Sequence, residues 1–205
     1  ITMIAIAPNV LVVKSALPPT SVQQLIAYAK ANPGKLNWAG SGGGAASLAM
    51  ELFRLTADLS MVAVAYKGAG PAVTAVIAGD ADLMFANAGV FLPHLKTGRV
   101  RALGVSSLQR LAILPDVPTI DESGMKGFEG STWYGLVAPA GTPGPAIATL
   151  HAETARLLKT SEFISRFAAE GAIPVGNSPD QFAADLKREI PKWTKIIKTA
   201  GIKAE

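Results

Sequence analysis

Apolar and polar residues follow two alternating periods along the first half of the chain. Ile4 and Ile6 stand in strand-like sequence, and residues 9–14 form a β-rich run ending at Lys14. Thr20 and Ser21, each followed three residues later by a glutamine (Gln23, Gln24), offer two overlapping capping boxes. The helix they open, Val22 to Ala31, sets Val22, Leu25, Ile26 and Ala29 on one face, and Asn32-Pro33-Gly34 stops it. A short strand over 36–39 runs into Gly40-Ser41-Gly42-Gly43-Gly44, and the next helix carries Leu48, Leu52, Phe53 and Leu55 as its apolar side. The pattern then predicts a strand over 61–65, a helix over 72–78 with Pro71 suited to its first turn, and a strand over 83–85. A short helix over 91–96 and a strand over 100–105 follow. Strands alternating with helices at this spacing imply an α/β fold with a mostly parallel sheet and flanking helices.

Residues 106–130 break the pattern. Pro115, Pro118, Gly124, Gly127 and Gly130 punctuate a long irregular connection. Thr132 to Ala138 reads as a strand, and 147–158, 162–170 and 179–199 as helices, with a kink or fresh start at Pro191. Apolar helix faces need something to cover. One or two strands are too few for three helices, so the remaining sheet is expected upstream of Ile1, together with the natural N-terminus and any signal peptide.

Composition narrows the function. Hydrophobic residues make up 49% and charged residues 17% of 205 residues, which predicts a packed core. The net charge of +4 is spread without a basic run, which argues against nucleic-acid binding and favours attraction of small anions. The chain has no cysteine, so disulfides and thiolate chemistry are excluded. No apolar run is long enough to insert in a membrane.

The candidate chemistry sits where strands meet helices. The loop at 40–44 combines glycines that let a ligand approach the backbone with a helix N-terminus whose N–H groups bind anions; the alternative is a tight turn without a ligand. Its Gly40-x-Gly42-x-x-Ala45 spacing fits a permissive dinucleotide pattern. However, the next strand ends in Tyr66-Lys67, with no acidic residue for a ribose, and no Gly-Lys-Ser/Thr follows. No cofactor is therefore expected. Tyr66–Gly70 and Ala86–Gly89 also follow strands, and ligands of open parallel sheets sit at the strands' carboxyl ends. Asn87 either donates its amide to a carboxylate or caps a helix; Tyr66 either meets the ligand or packs at the sheet edge. His94 and His151 stand without motif context, Ser41 and Ser106-Ser107 lack a nucleophile elbow, and Trp38, Trp133 and Trp193 read as packing residues. No catalytic or metal-binding constellation emerges.

Seven stretches in order carry a resemblance over essentially the whole chain. They are 8–13 (PNVLVV), 31–37 (ANPGKLN), 66–72 (YKGAGPA), 93–98 (PHLKTG), 114–119 (LPDVPT), 133–143 (WYGLVAPAGTP) and 200–203 (AGIK). Together they resemble the Bug-type receptors of tripartite tricarboxylate transporters. The resemblance implies a two-lobed periplasmic-binding-protein fold of type II. Residues 8–128 would form the complete second lobe, and 1–7 with 129–205 the remainder of the first lobe. It implies a periplasmic, non-enzymatic receptor that holds a small carboxylate (a dicarboxylate, amino acid or aromatic acid) between lobes and delivers it to the membrane subunits of a transporter. The expected ligand contacts are Ser41, Gly43, Gly44, Ala45, Tyr66 and Asn87, with hinges near 7–9 and 128–132. The loop departs from the family pattern: it reads one residue shorter, with Ala45-Ala46 before Ser47 where a hydroxyl side chain is usual, so a less polar or bulkier acid is expected. Two rival readings are the effector-sensing domain of a transcription regulator, which shares this architecture, and a dinucleotide-dependent enzyme.

Overall fold

The computed structural model describes residues 1–40 and 43–202. Its elements are β1 (Thr2–Ala7), β2 (Asn9–Lys14), α1 (Val22–Ala31), β3 (Asn37–Gly40), α2 (Ala45–Thr56), β4 (Val62–Ala65), α3 (Ala69–Ala78), β5 (Leu83–Asn87), α4 (Ala88–Lys96), β6 (Val100–Val105), β7 (Thr132–Leu136), α5 (Gly144–Leu158), α6 (Ser161–Ala169), β8 (Ile173–Pro174) and α7 (Pro179–Ala200).

The strands form two sheets. The larger has the order β4-β3-β5-β2-β6. β3 is parallel to β4 and β5, whereas β2 is antiparallel to both β5 and β6. Four strands therefore run one way and β2 alone opposes them, because the chain enters this sheet through β2 directly from the smaller one. The smaller sheet, β7-β1-β8, departs from the mostly parallel expectation: β1 pairs antiparallel with both neighbours. Its strands are the outgoing and returning passes of the chain, which must run in opposite directions.

Strand alternation divides the larger core in two. Leu11, Val13, Trp38 and Phe85 face α1 and α2, while Val10, Val12, Ala39, Met84 and Ala86 face α3 and α4. The connection over 106–131 contributes Ile120 and Phe128 to the first of these layers. Phe128 stacks on Phe85 and meets Phe53 edge-on, with centroids 6.2 Å apart in both pairs. At the start of α1, Ser21 is the cap, accepting from Gln24 N–H at 3.2 Å, while the Gln24 side chain reaches back to Thr20 N–H at 2.8 Å.

One reading of the C-terminal third is corrected. α7 continues unbroken through Pro191. Ile190 and Pro191 lie on its exposed side, so the carbonyl that proline leaves without a donor can take one from water. A capping box of Ser178 and Gln181 fixes its start.

The two sheets are joined at Pro8 and at Gly130–Thr132. Asn9 is fully buried there. Its Nδ2 donates to Gly130 O at 2.8 Å and to Thr132 Oγ1 at 3.2 Å, and its backbone N–H donates to Ser106 Oγ at 2.8 Å. Trp133 packs edge-on against Phe182 of α7 (5.9 Å), and Gly135 lies under the same ring. None of the described helices is long and apolar enough to cross a membrane.

Candidate functional site

Parallel pairing places three strand-to-helix junctions on one rim of the larger sheet. Gly40 at the end of β3 is in register with Ala65 at the end of β4, and Tyr66 N–H extends the ladder by donating to Gly40 O at 2.8 Å. Trp38 pairs with Leu83, which sends β5 in the same direction and puts its last residue, Asn87, beyond the level of Gly40. α2, α3 and α4 thus all start at this rim, α2 on one face of the sheet and α3 and α4 on the other. None has a side-chain cap or an acidic residue in its first turn. Helix starts of this kind carry a partial positive charge and unspent N–H donors.

The three junctions differ in what they offer. At α2, the first intrahelical bond runs from Leu48 N–H to Gly44 O at 3.1 Å, so the amides of Ala45 and Ala46 have no intrahelical acceptor. Gly43, Gly44 and Ala45 are exposed, and the space over Gly43 is open to 4 Å. Ser41 lies outside the described residues. At α3, Gly68 adopts φ 95°, a conformation that suits glycine, and spends its N–H on Tyr66 O at 2.8 Å. Pro71 removes a further donor, which leaves the amides of Ala69 and Gly70. The Tyr66 ring packs partly against the α3–α4 side of the core.

Asn87 opens α4 without capping it. Its Nδ2 lies 3.4 Å from the Tyr134 hydroxyl of β7, so the side chain spans from one sheet to the other. The same helix start is faced by Glu170, at the end of α6: a Cβ on Gly89 would strike the Glu170 carboxylate and come within 3.1 Å of its Cα. A carboxylate already next to α4 leaves α2 and α3 as the better anion sites. The position of Tyr134 and Glu170 at this rim was not legible, because only the folded chain brings the β7 and α6 regions to it.

A cavity of about 550 Å³ adjoins the Gly43 end of the rim. Trp38, Leu48, Glu51 and the strand residues Ala63–Ala65 line it on one side and the end of α7 on the other. Glu51, only 7% exposed, receives both Arg54 Nε (2.8 Å) and Nη2 (2.7 Å) on its Oε2. Ser47, also buried, sits at the mouth with Gly40 and Gly43.

The histidines are spoken for or remote. The His151 Nε2 lies 3.1 Å from Asn177 O, tying α5 to the turn before α7, and His94 sits in the last turn of α4. No cluster of three or more metal-ligating side chains occurs among the described residues. Depressed carboxyl pKa values occur away from the rim, in the 106–131 connection. Asp121 is held down first by the Gly127 N–H and then by Lys126; Glu122 is held down first by the Thr119 N–H and then by Arg110.

Known proteins match this architecture. The family model described as "Tripartite tricarboxylate transporter family receptor" matches residues 1–202. BugT of Bordetella pertussis is 34% identical over 204 residues, covering 99% of this chain and 63% of BugT. Among solved structures, an R. palustris protein determined with adipate is 35% identical with a TM-score of 0.87, covering 98% of this chain and 67% of that one. The periplasmic binding protein BugD is 31% identical with a TM-score of 0.85, covering 99% and 69%. The chain spans 59–63% of the length of the first curated relatives it matches. The two sheets with their helices are a periplasmic-binding-protein fold, and the chain belongs to the tripartite tricarboxylate transporter receptor family.

Proposed function

We propose that the chain is the carboxylate-gripping part of a periplasmic solute receptor that hands a small carboxylate to the membrane subunits of a tripartite transporter, without catalysing a reaction. The observation that carries this reading is the shared rim. Uncapped starts of α2 and α3, with no acidic residue in either first turn, follow the carboxyl ends of the adjacent parallel strands β3 and β4. Amide donors and helix dipoles fixed before the ligand arrives cost little reorganisation on binding.

Each expected residue has a role. Gly43, Gly44 and Ala45 present backbone to one carboxylate oxygen, with Ser41 as neighbour in sequence. Asn87 presents its amide from the far end of the rim, next to Tyr134. Tyr66 shapes the floor between α2 and α3. Residues 8–128 act as one lobe, residues 1–7 and 129–205 belong to the other, and the passes at 7–9 and 128–132 let them close. The adipate bound by the R. palustris relative supports a carboxylate as the ligand class.

Calorimetric titration with paired acids and amides tests the reading. Succinate and adipate bind with an enthalpy that succinamide and adipamide lack. Equal response to an acid and its amide would mean that the rim does not read charge.

A further inference from the structure

We propose that the cavity beside the rim takes the apolar body of a monocarboxylic acid, aromatic or of medium chain, while α2's N-terminal amides hold its carboxylate. This rests on the receptor reading above and narrows its ligand class. The cavity, about 550 Å³, is continuous with Gly43, so one molecule can span rim and cavity. Its wall is largely apolar: Leu48, Ala63 and Ala65 on one side, Ile197 and Ile202 on the other.

One polar group in the wall refines the choice. Glu51 is buried with both Arg54 contacts falling on Oε2. It lies six residues along α2 from Ala45, about 9 Å at the helical rise of roughly 1.5 Å per residue. A second carboxylate reaching that depth would meet Glu51 and be rejected. A short diacid would leave its second carboxylate unpaired against Leu48, Ala63 and Ala65, and a longer one would meet Glu51, so the cavity selects acids with one charged end and an apolar body.

The test uses the chain as it stands, with 3-phenylpropionate, octanoate and adipate as probes, read by tryptophan fluorescence and calorimetry. We expect 3-phenylpropionate or octanoate to bind at least about tenfold more tightly than adipate, the scale on which apolar pockets discriminate. Ala63→Phe fills the cavity from its exposed strand and should collapse that preference to near unity. Circular dichroism confirms that the variant folds. If adipate binds at least as tightly as the apolar acids, or Ala63→Phe leaves the preference intact, the inference falls while the receptor reading stands. If no acid binds at all, both fall.

Discussion

Replacing Asn9 with alanine strikes the passage between the two sheets. Asn9 is fully buried, and its side chain donates to Gly130 O at 2.8 Å and to Thr132 Oγ1 at 3.2 Å. Gly130 is also buried, so its carbonyl loses that donor where water cannot readily replace it. Thr132 is partly exposed, and water can take over there. A stranded buried acceptor costs about 1–3 kcal/mol and the second, solvated bond adds little, so Asn9→Ala should destabilise by roughly 2–3 kcal/mol. The backbone bond from Asn9 N–H to Ser106 Oγ survives, which keeps β2 in place. Asn9→Asp should be worse, because a carboxylate oxygen then faces the Gly130 carbonyl. Urea unfolding followed by circular dichroism reads the effect as a lower midpoint at unchanged slope. A loss under about 0.5 kcal/mol for Asn9→Ala, with Asp no worse than Ala, would show that this network does not hold the passage.

Further outcomes follow from other contacts. Gly135→Ala should destabilise by about 1–3 kcal/mol in thermal melts, since its Cβ would press into the Phe182 ring, with Phe182 Cε1 only 3.0 Å away. Phe128→Ala removes a ring packed on Phe53 and Phe85 and should cost about 3–5 kcal/mol in urea unfolding. Asp121 and Glu122 have lowered pKa values, so the stability they contribute is present above the ordinary carboxylate range and lost as pH falls through their folded values. Protection of the Gly127 and Thr119 amides, corrected for the intrinsic exchange rate, should therefore fall as pH drops below the ordinary carboxylate range, while Asp121→Asn and Glu122→Gln flatten that dependence. Asn87→Ala should weaken adipate binding about tenfold in calorimetry through loss of one hydrogen bond to a charged group, while octanoate, whose one carboxylate lies at α2, is little affected and the melting temperature little changed.

Much of the fold was legible because local signals agreed with it. Ser21–Gln24, the apolar face of Val22, Leu25 and Ala29, and the continuous β-rich run of β2 all encode the larger sheet's elements within short stretches. The rim was legible for the same reason: each junction at Gly43–Ala45, Tyr66–Gly70 and Asn87 is a contiguous strand–loop–helix. What was hidden depends on distant residues. β8 is only Ile173–Pro174 and exists as a strand through its pairing with β1. The carboxylate of Glu170 over Gly89 and the end of α7 beside α2 have no sequence signature. The continuity of α7 through Pro191 reflects an exposed helix face that proline can occupy without stranding a buried carbonyl.

The backbone amides of the rim can be watched directly. In ¹⁵N-resolved NMR titrations with a carboxylate, Gly43, Gly44, Ala45, Ala69 and Gly70 should shift together and saturate at one affinity, and the matched carboxamide should leave them still. Shifts scattered over other faces, or concentrated at α5 and α6, would contradict a rim built to grip an anion.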